Sequence, residues 1–268
     1  MLVELRVGLA AATLLLYVLA AGRVPKIRSR WRSFLVLGFF NTAVPFSLIS
    51  TAELHLTTSL AAILNSTTVM FTAIVAAVWM DDALTARKIV GIALGILGVA
   101  VLVGWDPTPL NGVVLLSVAA MLGASLSYAL GATYAKHSFS GIPPVGMAIG
   151  QLTAATALLM PLSVVSVPDR APSLAVALCV LALALLSTAV AYLIYFRLIE
   201  NVGPTSTVTV TLLVPVFGLL FGVLLLDEPF GPGTLAGLAT ILFSVVLITG
   251  VRAFSDQPSA ASKNKADG

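Results

Sequence analysis

Few side chains in this 268-residue sequence could carry covalent or metal chemistry. His55 and His137 fall in loops on opposite sides, and the acidic pairs Asp81-Asp82 and Asp227-Glu228 stand alone. No HExxH, DxxxD-type cluster, P-loop or Ser/His/Asp set occurs, and Asp81-Asp82 is too little for a metal site. An enzyme is not expected, nor a cofactor. What remains is neutral: Asn41, Asn65 and Thr68, Ser127 and Tyr128, Tyr192, and Thr207 and Thr211. Asn41 and Pro45 are four residues apart and share a helix face. Amides and hydroxyls can bind a zwitterion or a polyol, and tyrosine rings can pack on its apolar part. The plainer role for each Ser or Thr is a bond to its own preceding carbonyl. Pro45 and Pro215 could hinge their helices or only kink them.

The elements holding these residues are membrane spans. Hydrophobic residues make up 59% of the chain and charged ones 9%, against about 25% charged in soluble domains; mean hydropathy is +1.08. A soluble enzyme and a nucleic-acid-binding domain are excluded. Continuous rather than alternating apolar runs exclude an outer-membrane barrel. Nine runs are long enough to cross a bilayer: about 3–21, 34–54, 57–80, 87–104, 112–135, 144–166, 173–198, 204–226 and 233–252. The polar segment after Arg252 reads as a disordered tail. Cys179, the single cysteine, forbids an intrachain disulfide.

Twelve of the fourteen Lys and Arg residues fall on one side of these spans, with Arg6 and Arg170 on the other. The positive-inside rule then places the C-terminus in the cytoplasm and the protein in the inner (plasma) membrane. Glu4, Arg6, Glu53, His55, the acidic pairs and Glu200 are all placed near span ends. An intramembrane charge costs a few kcal/mol or more, so no buried carboxylate relay is expected. Asp82 and Glu228 are expected to cap the spans that follow them. Gly91/Gly95, Gly146/Gly150 and Gly218/Gly222 are small-xxx-small pairs suited to close helix packing.

An offset of 146 residues aligns the two halves. Asp81-Asp82 falls on Asp227-Glu228, Gly91 on Gly237, Gly104 on Gly250, Phe46 on Tyr192, and Asn65 on Thr211. Four consecutive spans correspond, while the span at 112–135 has no earlier partner. Five spans is an odd number, so two such repeats would sit inverted in the bilayer, as in many secondary transporters.

The opening Leu-Val-Glu-Leu-Arg-Val with its Ala/Leu-rich run and the Leu-Leu-Val-Pro-Val-Phe-Gly run at 212–218 carry a resemblance. So do the acidic residue before each half's last helix and Gly91, Gly95 and Gly98. Together they resemble EamA-type carriers of the drug/metabolite transporter superfamily. The resemblance implies an all-α polytopic fold with ten helices in two inverted five-helix repeats. It also implies export or exchange of small metabolites such as amino acids. Here the repeats have four and five spans: 1–105 without the family's opening helix, 106–252, and a tail over 253–268. That points to a start assigned too late or a shortened chain. A second departure is Val69 where the other repeat has Pro215. The expected cavity lies where the repeats meet, between Asn41 and Asn65 on one side and Tyr192 and Thr211 on the other. Expected partners are a small-molecule substrate and the lipid bilayer, with a homodimer left open. The alternative is a transport-inactive membrane scaffold or accessory protein.

Overall fold

The computed structural model describes residues 2–21, 30–80, 82–105, 111–139, 141–165, 172–194 and 213–249. Within them run α1 (Leu2–Ala20), α2 (Trp31–Ala52), α3 (Thr58–Trp79), α4 (Ala86–Gly104), α5 (Gly112–Ser138), α6 (Pro144–Val165), α7 (Leu174–Ile194), α8 (Leu213–Leu226) and α9 (Pro232–Thr249). Eight contain at least 18 apolar-rich residues, enough to cross a membrane; the described part of α8 has 14. The protein is a polytopic helical membrane protein. The first residues of the expected 204–226 span lie outside the described set.

Local sequence explains where the helices begin. Thr57, Thr85, Asn111 and Ser173 each adopt an extended backbone, and each side-chain oxygen accepts an N–H from the first turn of α3, α4, α5 and α7 respectively. These satisfy donors that a helix start leaves unpaired. Pro144 and Pro232 open α6 and α9, where a missing N–H costs nothing.

Asp82 and Glu228 do not cap the helices that follow them, contrary to expectation, and Asp81 lies outside the described residues. Thr85 caps α4, and the Asp82 carboxylate takes an ion pair from Lys88 Nζ at 2.9 Å. Glu228 leaves its own half altogether. Its Oε1 accepts the Thr58 N–H at 2.5 Å, and its Oε2 accepts the Ser59 N–H at 2.9 Å and the Ser59 hydroxyl at 2.6 Å. It thus caps α3 from across the bundle. Asp227, with φ 51°, is left-handed and turns the chain toward that contact.

Helices approach closely where side chains are small. Gly91, Gly95 and Gly98 of α4 lie against Ile248, Ser244 and Ile241 of α9, and the Ser244 hydroxyl donates to the Gly91 carbonyl at 2.6 Å. On α8, Gly218 meets Ala62 and Gly222 meets Ser59, both from the first turns of α3. A methyl added at any of these glycines would collide with side-chain atoms of the facing helix. α1 packs on α6 and α7, while α2 packs on α5 and α6.

The 146-residue offset recurs in these contacts. It exchanges α1 with α6, α2 with α7, α3 with α8 and α4 with α9, so α2 on α6 becomes α7 on α1, and both pairs are packed. It also relates two irregular turns. The helical hydrogen-bond ladder widens to a π turn at Phe39–Ala43 in α2 and again at Leu185–Val190 in α7. Adding 146 to 39 gives 185, the first residue of the second. α5 breaks the pattern. Its Gly123, Ser127 and Gly131 cover Leu48, the Phe40 carbonyl and Asn41 of α2. The equivalent residues of α7, namely Ile194, Leu186 and Ser187, are exposed.

α3 carries a further interruption after Asn65, between Thr58–Asn65 and Thr68–Trp79. The hydroxyls of Ser66, Thr67 and Thr68 donate to the carbonyls of Ile63, Leu64 and Asn65 at 2.6–2.7 Å. Backbone groups freed inside an apolar slab are thereby satisfied locally.

Candidate functional site

Each of the two wide turns presents polar side chains to the bundle interior. A π turn inserts an extra residue and often marks a functional position. Asn41 lies in the first turn, and its Nδ2–H donates to Gln151 Oε1 on α6 at 2.9 Å. The other end of that amide, Nε2–H, donates to the Tyr192 hydroxyl on α7 at 2.8 Å. Three helices are thus joined by a chain of neutral hydrogen bonds through Gln151, which is 5% exposed. Gly38 makes the α2–α6 approach possible, since a methyl there would sit 2.7 Å from the Gln151 carbonyl oxygen.

The second wide turn faces α1. Arg6 Nε–H donates to Thr188 Oγ1 at 3.1 Å, and Arg6 Nη2–H to Ser187 Oγ at 3.4 Å. The guanidinium lies 4.7 Å from the centre of the Phe46 ring on α2, close enough for cation–π attraction. Thr188 is only 2% exposed, and its own hydroxyl donates back to the Leu183 carbonyl at 3.0 Å. Tyr128 of α5 lies near both Arg6 and Tyr192.

Arg6 is therefore not a bystander at a span end. It starts in the second turn of α1, but α1 packs so that Gly8 adjoins Thr156, in the middle of α6. The long side chain then reaches Thr188, well inside α7. Position along one helix does not say which level of its neighbours a side chain meets.

Of the residues singled out from sequence, Asn41, Tyr128 and Tyr192 gather with Arg6 and Gln151. Asn65 does not join that chain; its Oδ1 is buried with no hydrogen-bond partner among the described residues. Thr68 bonds the Asn65 carbonyl, and Ser127 donates to the Phe40 carbonyl at 2.7 Å, bridging α5 to α2. Pro45 is buried just after the wide turn of α2, and Pro215 is buried in α8. Thr207 and Thr211 lie outside the described residues. Sequence reasoning missed Gln151, Ser187 and Thr188. Gln151 had a signal: a lone amide well inside an apolar run.

A cavity of about 260 Å³ adjoins this site at the end where α2 finishes and α3 starts. Leu2, Val3 and Glu4 of α1 line it, with Ser47, Ser50, Thr51 and Leu54 from the α2 end and Leu159 and Ser163 of α6. It begins one turn of α1 away from Arg6. At the same end of the bundle, Glu228 is subject to two opposed effects. Burial raises its pKa, but the hydrogen bonds from Ser59 and Thr58 outweigh burial and hold it below the usual carboxylate value.

Residues 1–104 and 115–250 match the EamA-like transporter family. An uncharacterized transporter of Archaeoglobus fulgidus is 24% identical over 241 residues, which is 89% of this chain and 84% of that protein. The uncharacterized transporter YvbV of Bacillus subtilis is 25% identical over 243 residues, 88% of this chain and 78% of that one. A solved structure described only as "Crystal structure of protein" shares the fold, with TM-score 0.66 and 17% identity over 92% of this chain and 85% of its own. The fold, the paired halves and a match spanning nearly the whole chain lead to one assignment: this multi-pass membrane protein belongs to the EamA-like transporter family.

Proposed function

We propose that the protein is a secondary transporter that exports or exchanges small polar metabolites, amino acids among them, across the plasma membrane. The observation that carries this reading is the Asn41–Gln151–Tyr192 chain at the wide turns, where three helices from both halves meet. A substrate that offers its own donors and acceptors can substitute for these bonds, since neutral hydrogen bonds exchange at a net cost of about 0.5–1.5 kcal/mol each. Asn65, whose Oδ1 has no hydrogen-bond partner among the described residues, and Thr211 extend the site along the other helix pair in this reading. Pro45 and Pro215 act as hinges. The basic residues place the C-terminus in the cytoplasm, so the end bearing the cavity and Glu228 is external. The exposed faces of α4 and α9 offer a surface for a homodimer.

The test is substrate flux in proteoliposomes at matched protein levels. Tyr192→Ala and Asn65→Ala should each slow it about tenfold, by analogy with a lost buried hydrogen bond. Normal flux in both folded variants would place the cavity elsewhere.

A further inference from the structure

Arg6 carries a permanent charge into the bundle interior without an ionic partner there. Among the described residues the one ion pair within 4 Å is Lys88–Asp82, at a helix start. Glu53, at the end of α2, interacts with Arg6 through space but does not close a salt bridge. Arg6 is bonded to two hydroxyls and stacked on Phe46. Its remaining N–H groups have no hydrogen-bond acceptor among the described residues. An unpaired cation inside an apolar slab is costly and commonly faces a substrate path.

A second observation separates Arg6 from the scaffold. The wide turns recur under the 146-residue offset, as does the packing of α2 on α6, repeated as α7 on α1. Arg6 does not recur, because its equivalent is Leu152, a fully buried apolar residue. A charge retained in one half only is not part of the repeated architecture. The groups that hold it also orient it: Thr188 and Ser187 fix one edge of the guanidinium plane, and Phe46 covers a face.

We propose that Arg6 binds the carboxylate of a small organic acid with an apolar or aromatic body, and that such acids are the substrates of the site. This rests on the transport reading above. A planar guanidinium matches a carboxylate bidentately. Phe46, Tyr128 and Tyr192 are ring surfaces suited to the body of the acid rather than to a small hydrated anion. A single cation suits a monoanion better than a phosphate dianion. The adjoining cavity one turn away is lined by the hydroxyls of Ser47, Ser50, Thr51 and Ser163 together with Glu4 and apolar side chains, so it offers both polar and apolar surface.

The experiment follows thermal unfolding of the whole purified chain in detergent, titrated with benzoate, its uncharged analogue benzamide, and acetate. Benzoate should raise the melting temperature saturably, benzamide should not at the same concentration, and acetate should need at least about tenfold more. In R6Q, which can still bond Thr188, the benzoate concentration needed should rise by at least about tenfold. R6K should fall between, since a point charge lacks the fork. Modification of Arg6 by phenylglyoxal in the unaltered protein should be slowed by benzoate, which gives a readout that needs no variant to fold. Equal protection by benzamide, unchanged benzoate binding in R6Q, or no protection by benzoate would each overturn the proposal. If both probes bind alike and Gln151→Leu abolishes both, the anion anchor falls while the transport cavity stands. Normal flux in Tyr192→Ala and Asn65→Ala would instead sink the cavity reading.

Discussion

At equivalent positions of the two halves, Asp82 N–H bonds the Ala76 carbonyl at 3.3 Å, and Glu228 N–H bonds the Gly222 carbonyl at 3.0 Å. Their side chains then part company. Asp82 pairs with Lys88, six residues on, whereas Glu228 crosses to the start of α3. The offset explains the difference, because the residue equivalent to Lys88 is Thr234, which accepts the Gly231 N–H instead. Glutamate also has one more methylene of reach. Repeated backbone thus tolerates unrelated side-chain partners, and the contacts that tie one half to the other are not copied. The wide turns teach the same lesson, with neutral Asn41 and Gln151 at one and charged Arg6 at the other.

Substitutions that make one half resemble the other test that contrast. The largest effect is expected from Gln151→Leu, since the equivalent residue of the first half is Leu5. It strands the Asn41 amide and removes the Gln151 bond to Tyr192, and each stranded buried group costs about 1–3 kcal/mol. Transport should fall at least tenfold, read as initial flux. Next comes Gly218→Thr, which copies Thr72 of the first half. The added side chain meets Ala62 of α3, and overpacking of this kind costs about 1–3 kcal/mol; the readout is the melting temperature in detergent.

Glu228→Ala removes a cap and should cost about 0.5–2 kcal/mol, while Asp82→Ala, at an exposed pair, should cost about 0–1 kcal/mol. Equal losses in the two would erase the distinction between a cross-bundle cap and a local pair. The smallest effect is the pH response. Glu228 has a depressed pKa in the folded protein, so its stabilisation is full above the free glutamate value of about 4.3 and is lost as pH falls through the depressed value. Melting temperatures of the unaltered protein and Glu228→Gln should therefore converge at acid pH and differ at neutral pH. A constant difference across that range would show that the carboxylate charge is not what holds α3.

Helix positions were largely legible from the sequence because apolar runs mark them without reference to other segments, whereas the caps Thr57, Thr85, Asn111 and Ser173 were not singled out. The site was legible in part. Asn41 and Tyr192 stand out as polar groups deep in apolar runs, but Gln151, which joins them, was overlooked for want of a repeat partner. Arg6 does lie near a span end, as expected, but its partners, like those of Glu228, were not foreseen for one reason: each has a long side chain whose destination depends on a neighbouring helix, and no local pattern encodes that. The wide turn of α2 has a local cause in Pro45, which cannot supply an N–H to the Asn41 carbonyl. That of α7 has Ala191 at the equivalent position and no such sign.

That last difference has a mechanical consequence. A wide turn migrates along a helix when one long-range bond shortens by a residue as its neighbour lengthens, and each step rotates the intervening stretch by about 100°. In α2 the defect is fenced, because Pro45 lacks the N–H that passage requires. In α7 the Ala191 N–H is present and already bonds the Leu186 carbonyl, so the extra residue can slide. Sliding would swing Ser187 and Thr188 away from Arg6, a freedom that the wide turn of α7 has and that of α2 lacks.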